Sequence, residues 1–233
     1  MAKQVTEKKI ANAEKEVGEF VSRSEKFIEN NKKNISYGLI AILVLIGAFM
    51  TYYHLYKIPR NNLAAVAIFK GEQYFQKDSF NLALHGNGVD YDGFEYIIKQ
   101  YGGTKSANLA KAYAGICYFK TGDINMAIKH LKSFKTKDDN ISPVIIGLIG
   151  DCYVESGDFK QGISYFEKAA SAANNDFLSP IYLKKAGIAY EAGLQQYDNA
   201  VKAYTVIKEK HAASMEAMDI ERDIIRAQQL ANK

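Results

Sequence analysis

The chain has 233 residues, room for one ordinary domain or for a smaller domain with appendages. Its formal charge of +4 divides into +2 before residue 35 and +2 after residue 56, so no concentrated basic patch marks a nucleic-acid partner. Two cysteines make no disulfide framework, and three prolines favour long helices over a turn-rich β fold.

Residues 1–34 place Ile10, Ala13, Val17, Phe20, Val21, Phe27 and Ile28 near one face of a helix, with Lys and Glu elsewhere. Such a segment lies on a membrane surface, meets a partner, or stands as a solvated helix that frays. The next stretch, ISYGLIAILVLIGAFMTYY, runs from Ile35 to Tyr53 without a charged residue. As a helix it reaches roughly 28 Å, close to the hydrocarbon thickness of a bilayer. Tyr37 stands at one end, and Tyr52, Tyr53 and Tyr56 at the other, where aromatic belts sit. A cleaved signal peptide fits poorly, because HLYKIPR follows with no small-x-small site. We therefore expect an uncleaved transmembrane helix over 35–56. Lys32 and Lys33 lie tight against its leading edge, and long C-terminal domains translocate largely regardless of charge. The expected orientation is a cytoplasmic N-terminus with residues 60–233 outside the cytoplasm.

Beyond the apolar segment the chain repeats itself. AGICYFKTGD at 114–123 returns as IGDCYVESGD at 149–158. Gly115, Tyr118, Gly122, Ala127, Leu131 and Phe134 share their offsets with Gly150, Tyr153, Gly157, Gly162, Phe166 and Ala169. A third copy carries Gly187, Tyr190 and Gly193, then, after one inserted residue, Ala200, Tyr204 and Ile207. A period of 35, then 37 to 38, with this rhythm describes stacked helix–turn–helix units. Ser142-Pro143 and Ser179-Pro180 predict N-caps with first-turn prolines, and Gly122-Asp123 and Gly157-Asp158 predict the turns. Small residues at Gly115, Gly150 and Gly187 let two helices approach closely. The expected fold is all-α, a helical solenoid with units at about 108–141, 143–178 and 180–212. A degenerate first copy spans 62–101, marked by Gly71, Tyr74 and Ala83 and interrupted by HGNGVDYDG, and a helix at 214–231 caps the stack. This pattern resembles the tetratricopeptide repeat, with Lys111 departing from it where a bulky apolar residue is usual.

Little in the chain points to chemistry. Cys117 and Cys152 fall at equivalent places on neighbouring first helices, too far apart for a bridge if those helices pack at ordinary spacing. They read as small buried hydrophobes rather than a redox pair. DYDG at 90–93 lacks a calcium loop's ligand series, GNG at 86–88 is too short to cradle a phosphate, and the four histidines have no ligand spacing. We expect no enzyme, no cofactor, no metal and no small-molecule substrate. The expected binding surface is the concave face of the first helices, carrying Leu109, Ala112, Ile116 and Phe119, then Val144, Gly147, Asp151 and Val154, then Ile181, Lys184, Ile188 and Glu191. It reads as mostly apolar, suited to extended or helical hydrophobic segments unless the final helix buries part of it. Ala112 and Gly147 stand where a carboxylate clamp would need cations and amides.

The stretch SEKFIENNKKNISYGLIAILVLIGAFMTYYHLYK is similar to the start of the YfgM-like proteins, bacterial single-span ancillary factors of the SecYEG translocon. The likeness lies in Phe27 to Lys33 and in Gly38 and Gly47 within the apolar run. It implies a bacterial inner-membrane protein whose periplasmic tetratricopeptide domain assists newly exported chains. Its partners would be translocon subunits, periplasmic chaperones or unfolded exported polypeptides. The alternative is a scaffold subunit of another cell-envelope complex.

Overall fold

The computed structural model describes the backbone of residues 2–232 and the side chains of 18, 20 and 22–232. Ile10, Ala13, Val17 and Val21 of the amphipathic pattern thus lie outside the described side chains, while Phe20, Phe27 and Ile28 are exposed. The chain divides into two units, Met1–Pro59 and Arg60–Lys233.

The first unit is dominated by α1, Ala2–Tyr52. Over residues 39–50 its apolar side chains are exposed, among them Leu39, Leu43, Phe49 and Met50. One helix among the described residues is long and apolar enough to cross a membrane. A π-helical turn, Tyr53–Lys57, follows α1. Pro59 comes next and has no N–H to return to the preceding turn, a usual cause of a register change in a helix.

The second unit is a series of helix pairs. They are α5 (Lys105–Thr121) with α6 (Ile124–Ser133), α7 (Ile141–Glu155) with α8 (Phe159–Ala173), and α9 (Ser179–Ile188) with α10 (Tyr197–Lys210). Each pair closes on one glycine. An added Cβ at Gly115 would lie 2.6 Å from Leu131, at Gly150 2.7 Å from Phe166, and at Gly187 2.2 Å from Tyr204. The same rule identifies the degenerate copy. In α2 (Ile58–Gln76), a Cβ on Gly71 would meet Tyr91 and Phe94. The second helix of that copy is split into α3 (Phe80–His85) and α4 (Phe94–Gln100). Between them Gly86 and Gly93 take φ of +83° and +95° and stack backbone on backbone. Asn87 organises the excursion, its Oδ1 accepting from the amides of Val89, Asp90 and Tyr91. Asp90 pairs with Lys70, so DYDG is a tied surface turn.

The turns follow the repeat. Gly122 has φ +87°, with its amide donating to Phe119 O and the Asp123 amide to Tyr118 O. Asp123 then caps α6 by accepting from Met126 N, and Asp158 caps α8 from Gln161 N. Two expectations are corrected. Ser142 and Ser179 lie inside their helices rather than at the N-cap. The amides leading into each helix are met from further upstream, by Asp138 Oδ1 for Asn140 and Ile141, and by Asn175 Oδ1 for Phe177 and Leu178. Gly193 is not the turn glycine of the third copy. The inserted residue is absorbed in a π-helical turn, Ala189–Gly193, and Gln195 takes the left-handed position with φ +54°. Gln196 N then donates to Tyr190 O, as Asp123 N does to Tyr118 O. Gly193 is needed for a different reason, since the Phe159 ring would lie 2.2 Å from its Cβ.

The end of the chain also differs from the expected helix at 214–231. Ser214 Oγ accepts from Ala217 N and starts a short 3-10 turn, Glu216–Asp219. The helix proper, α11, is Ile220–Ala231. Its Ile220, Ile224 and Ala227 bury against Ala200, Tyr204 and Ile207 of α10.

Candidate functional site

The first helices α5, α7 and α9, with the π-helical turn that follows α9, present the residues expected to bind a partner, and the structure treats these residues in four ways. Leu109, Val144 and Ile188 are exposed, at 39%, 45% and 48% of their full surface. Ile116, Phe119, Val154 and Ile181 are half-buried. Of these, Ile116 and Phe119 pack on the main core, and Val154 sits where a Cβ on Gly162 would be 2.5 Å away. Asp151, Lys184 and Glu191 are engaged in ion pairs. Ala112 is buried, and Gly147 is covered by the ring of Tyr182.

The polar members form a ladder from helix to helix. Lys185 Nζ of α9 donates to both oxygens of Asp151 on α7, at 2.8 and 2.7 Å. Further along, Arg226 of α11 forks onto the π-helical turn that follows α9. Its Nε and one terminal nitrogen donate to Glu191 at 2.7 and 3.0 Å, while the other terminal nitrogen reaches Asp223 at 2.8 Å. Lys184 approaches Asp223 from α9 at 3.5 Å. Arg226 holds the Glu191 carboxyl below the usual carboxylate range, against the opposing effect of burial. The final helix thus takes two of the expected groove residues, Lys184 and Glu191, for its own docking. The apolar part of the face is left to α5, α7 and the exposed side of α9.

Lys185, Asp223 and Arg226 were not anticipated. Sequence carried one signal for them, since two adjacent lysines on a helix must point about 100° apart and serve two neighbours. The departure at Lys111 also has a local reason. Its ammonium donates to Ser133 O at the end of α6, where a cation suits the helix terminus.

Two other clusters bring titratable groups together. Glu95, Tyr118 and His130 meet between α4, α5 and α6. Tyr118 donates to Glu95 at 2.8 Å, and His130 Nε2 lies 2.9 Å from the same oxygen. That approach is within ion-pair distance but lacks the alignment of a directed hydrogen bond. His130 draws the Glu95 carboxyl below its ordinary range. With its tyrosine stacked on the imidazole, the cluster is a filled joint between repeats rather than an open site.

Cys117 and Cys152 are both free and fully enclosed. Burial pushes each thiol up to about 12, away from thiolate reactivity. The native protein should therefore leave a disulfide reagent such as Ellman's reagent unconsumed, and two thiols should titrate in denaturant. A fast native reaction would show that the first-helix core opens. Among the described residues, no group of three His, Cys, Asp or Glu stands together to hold a metal ion.

Comparison with known proteins agrees with this geometry. Two family models, both described as tetratricopeptide repeat, match residues 145–176 and 185–214. Crystal structures of nearly identical TPR-like repeats from a kinesin light chain candidate of Podosopora anserina are similar in fold. A form of it with one substituted residue has a TM-score of 0.53 at 13% identity, covering 74% of this chain and 88% of that one. The unsubstituted form has a TM-score of 0.54 at the same identity and coverage. The crystal structure of MamA matches at 18% identity and TM-score 0.48, over 70% of this chain and 94% of its own. No curated protein matches the chain. The fold and the repeats define a class, the helical-repeat modules that bind other proteins. This chain carries tetratricopeptide repeats at 145–176 and 185–214, and such repeats indicate a protein–protein interaction module.

Proposed function

We propose that the protein is a single-span membrane protein whose tetratricopeptide unit holds a polypeptide partner at the outer face of a bacterial inner membrane. In this reading residues 1–34 are cytoplasmic, 35–56 cross the bilayer, and 60–233 form the binding domain. The observation that carries it is the direct succession of an uncharged helical segment, Ile35–Tyr53, and an array whose α5, α7 and α9 leave Leu109, Val144 and Ile188 open. Such a face suits an extended or helical apolar segment, gripped without nucleotide or covalent chemistry. The likeness of the membrane-proximal stretch to the YfgM-like proteins makes the Sec translocon, with exported chains or periplasmic chaperones, the first partner to test.

A tagged pull-down from native membranes in mild detergent, read by mass spectrometry, separates the two readings. Near-stoichiometric channel subunits support the translocon role. Val144→Asp and Ile188→Asp should then lower the yield of exported chains while leaving the fold intact. Another envelope complex, with the channel absent, would make this a scaffold subunit and remove the translocon role.

A further inference from the structure

The repeats share a register in which Gly71, Gly115, Gly150 and Gly187 are equivalent, since each receives a large side chain from its second helix: Phe94, Leu131, Phe166 and Tyr204 in turn. A tyrosine stands three residues after the glycine. At the joint with the preceding repeat it meets the residue that follows the received side chain there. Tyr118 donates to Glu95 at 2.8 Å, Lys132 donates to Tyr153 at 2.7 Å, and Tyr190 donates to Glu167 at 3.0 Å. The first two joints are closed by a ring, carried by the residue just before the received side chain. His130 lies on Tyr118 with ring centroids 5.4 Å apart and planes 18° apart, and its Nε2 is 2.9 Å from Glu95. Tyr165 lies on Tyr153 at 5.4 Å and 24°. In the third joint the same position is Ala203, which has no ring to offer. A cavity of about 230 Å³ stands there, lined by Ala203, Ala186, Leu183 and Val206 and by the polar pair Tyr190 and Glu167.

We propose that this cavity binds an arginine side chain of a polypeptide partner, whose guanidinium takes the place that the His130 ring holds in the first joint. The proposal rests on the reading that the repeat unit holds a polypeptide, and it names the side chain that one site would take. Three observations choose this occupant. The rings seated on Tyr118 and Tyr153 lie nearly parallel to them, so the group that Tyr190 awaits is flat. Tyr190 donates its hydroxyl proton to Glu167, and among the described residues that carboxylate pairs with no cation, so the group is positive and carries N–H donors. Leu183 and Val206 make part of the lining apolar, which suits a methylene stem behind the charge. A guanidinium meets all three conditions, being planar, permanently charged and prone to stack on aromatic faces. Lys202 also borders the cavity. Its equivalent in the first joint is Lys129, which acts on Glu95 in the same way, and His130 is seated there all the same.

The test uses full-length protein in detergent with isotope-labelled alanine methyls, read by NMR. Ala186 and Ala203 both line the cavity and report on it directly. The probe is arginine amide, with citrulline amide as its neutral isostere and lysine amide as a cation without a plane. Arginine amide should shift both methyls saturably, and each reference should bind roughly tenfold more weakly. Glu167→Gln, at an exposed residue where folding is not at stake, should weaken arginine amide about fivefold. Ala203→His should rebuild the first joint, so that the urea midpoint rises and arginine amide no longer moves the Ala186 methyl. Absence of a shift, or equal binding of either reference, overturns the site. So does unchanged binding in Glu167→Gln or in Ala203→His. The pull-down from membranes separates this result from the functional reading. Arginine amide binding with no polypeptide recovered removes the polypeptide reading and leaves a site for planar cations, whereas a recovered partner with no arginine amide binding removes the site alone.

Discussion

Tyr204→Ala is expected to destabilise the repeat unit by about 3–5 kcal/mol, as deletion of a fully enclosed aromatic ring does. Tyr204 is 0% exposed, its ring lies on Gly187, and its hydroxyl donates to Glu191 at 3.2 Å. Urea unfolding should show a lower midpoint with little change in slope. The partner glycine supplies a sharper test. In Gly187→Ala the new Cβ would lie 2.2 Å from the Tyr204 ring. Overpacking of this kind costs about 1–3 kcal/mol, against roughly 1 kcal/mol that alanine gains over glycine within a helix. The ring is enclosed and cannot swing aside, so the net effect should be destabilising. In the Tyr204→Ala background the clash is gone, and Gly187→Ala should become neutral or stabilising. Additive effects in that cycle would show that the two residues do not meet.

Arg226→Ala should loosen the final helix at a cost between about 1 and 3 kcal/mol. This is below the usual figure for a broken buried pair, because the guanidinium is itself partly exposed. The substitution leaves Asp223, with 7% side-chain exposure, and Glu191, at 13%, without their shared cation. Arg226→Lys should recover little, since a single ammonium cannot occupy three directed contacts on two carboxylates. Hydrogen exchange should show faster opening of Ile220–Ala231 with α5 to α8 unchanged, as stability in a stacked array is shared between neighbours. The pH dependence has a definite sign. Glu191 is held below its ordinary range when folded. Its contribution is therefore present above the unfolded carboxylate value of about 4.3 and is lost as pH falls through the depressed value. Arg226→Ala should flatten the acid limb of the stability curve, and an unchanged limb would show that the fork carries no net energy.

Much of the architecture was legible because its causes are local. A small residue must stand where two helices touch, and an αL glycine must stand where the chain reverses. Gly115, Gly150, Gly122 and Gly157 therefore repeat visibly. The uncharged stretch from Ile35 to Tyr53 was equally plain, since length and absence of charge are properties of sequence alone. The caps were less legible. Ser142 and Ser179 look like caps, but Asp138 and Asn175 take the amides at the entrance to each helix from upstream, and only backbone geometry decides which side chain does so. The third copy misled for a related reason: a π-helical turn hides an inserted residue without leaving a turn glycine behind.

The expected partner-binding face shows where sequence stops. Residue types and helical period determined which side chains lie on the first helices, that the repeats are tetratricopeptide in kind, and that two cysteines stand alone in an apolar setting. They did not determine which of those side chains stay free. Lys184 and Glu191 are expected at groove positions from the repeat, yet α11 claims them through Asp223 and Arg226, 35 or more residues away. Val66 looks like a core residue, and its equivalents Ala110, Ile145 and Tyr182 are core, but Val66 itself is exposed. Periodicity is read within a helix, whereas exposure is settled by whichever helix arrives next, and only the tertiary structure decides that.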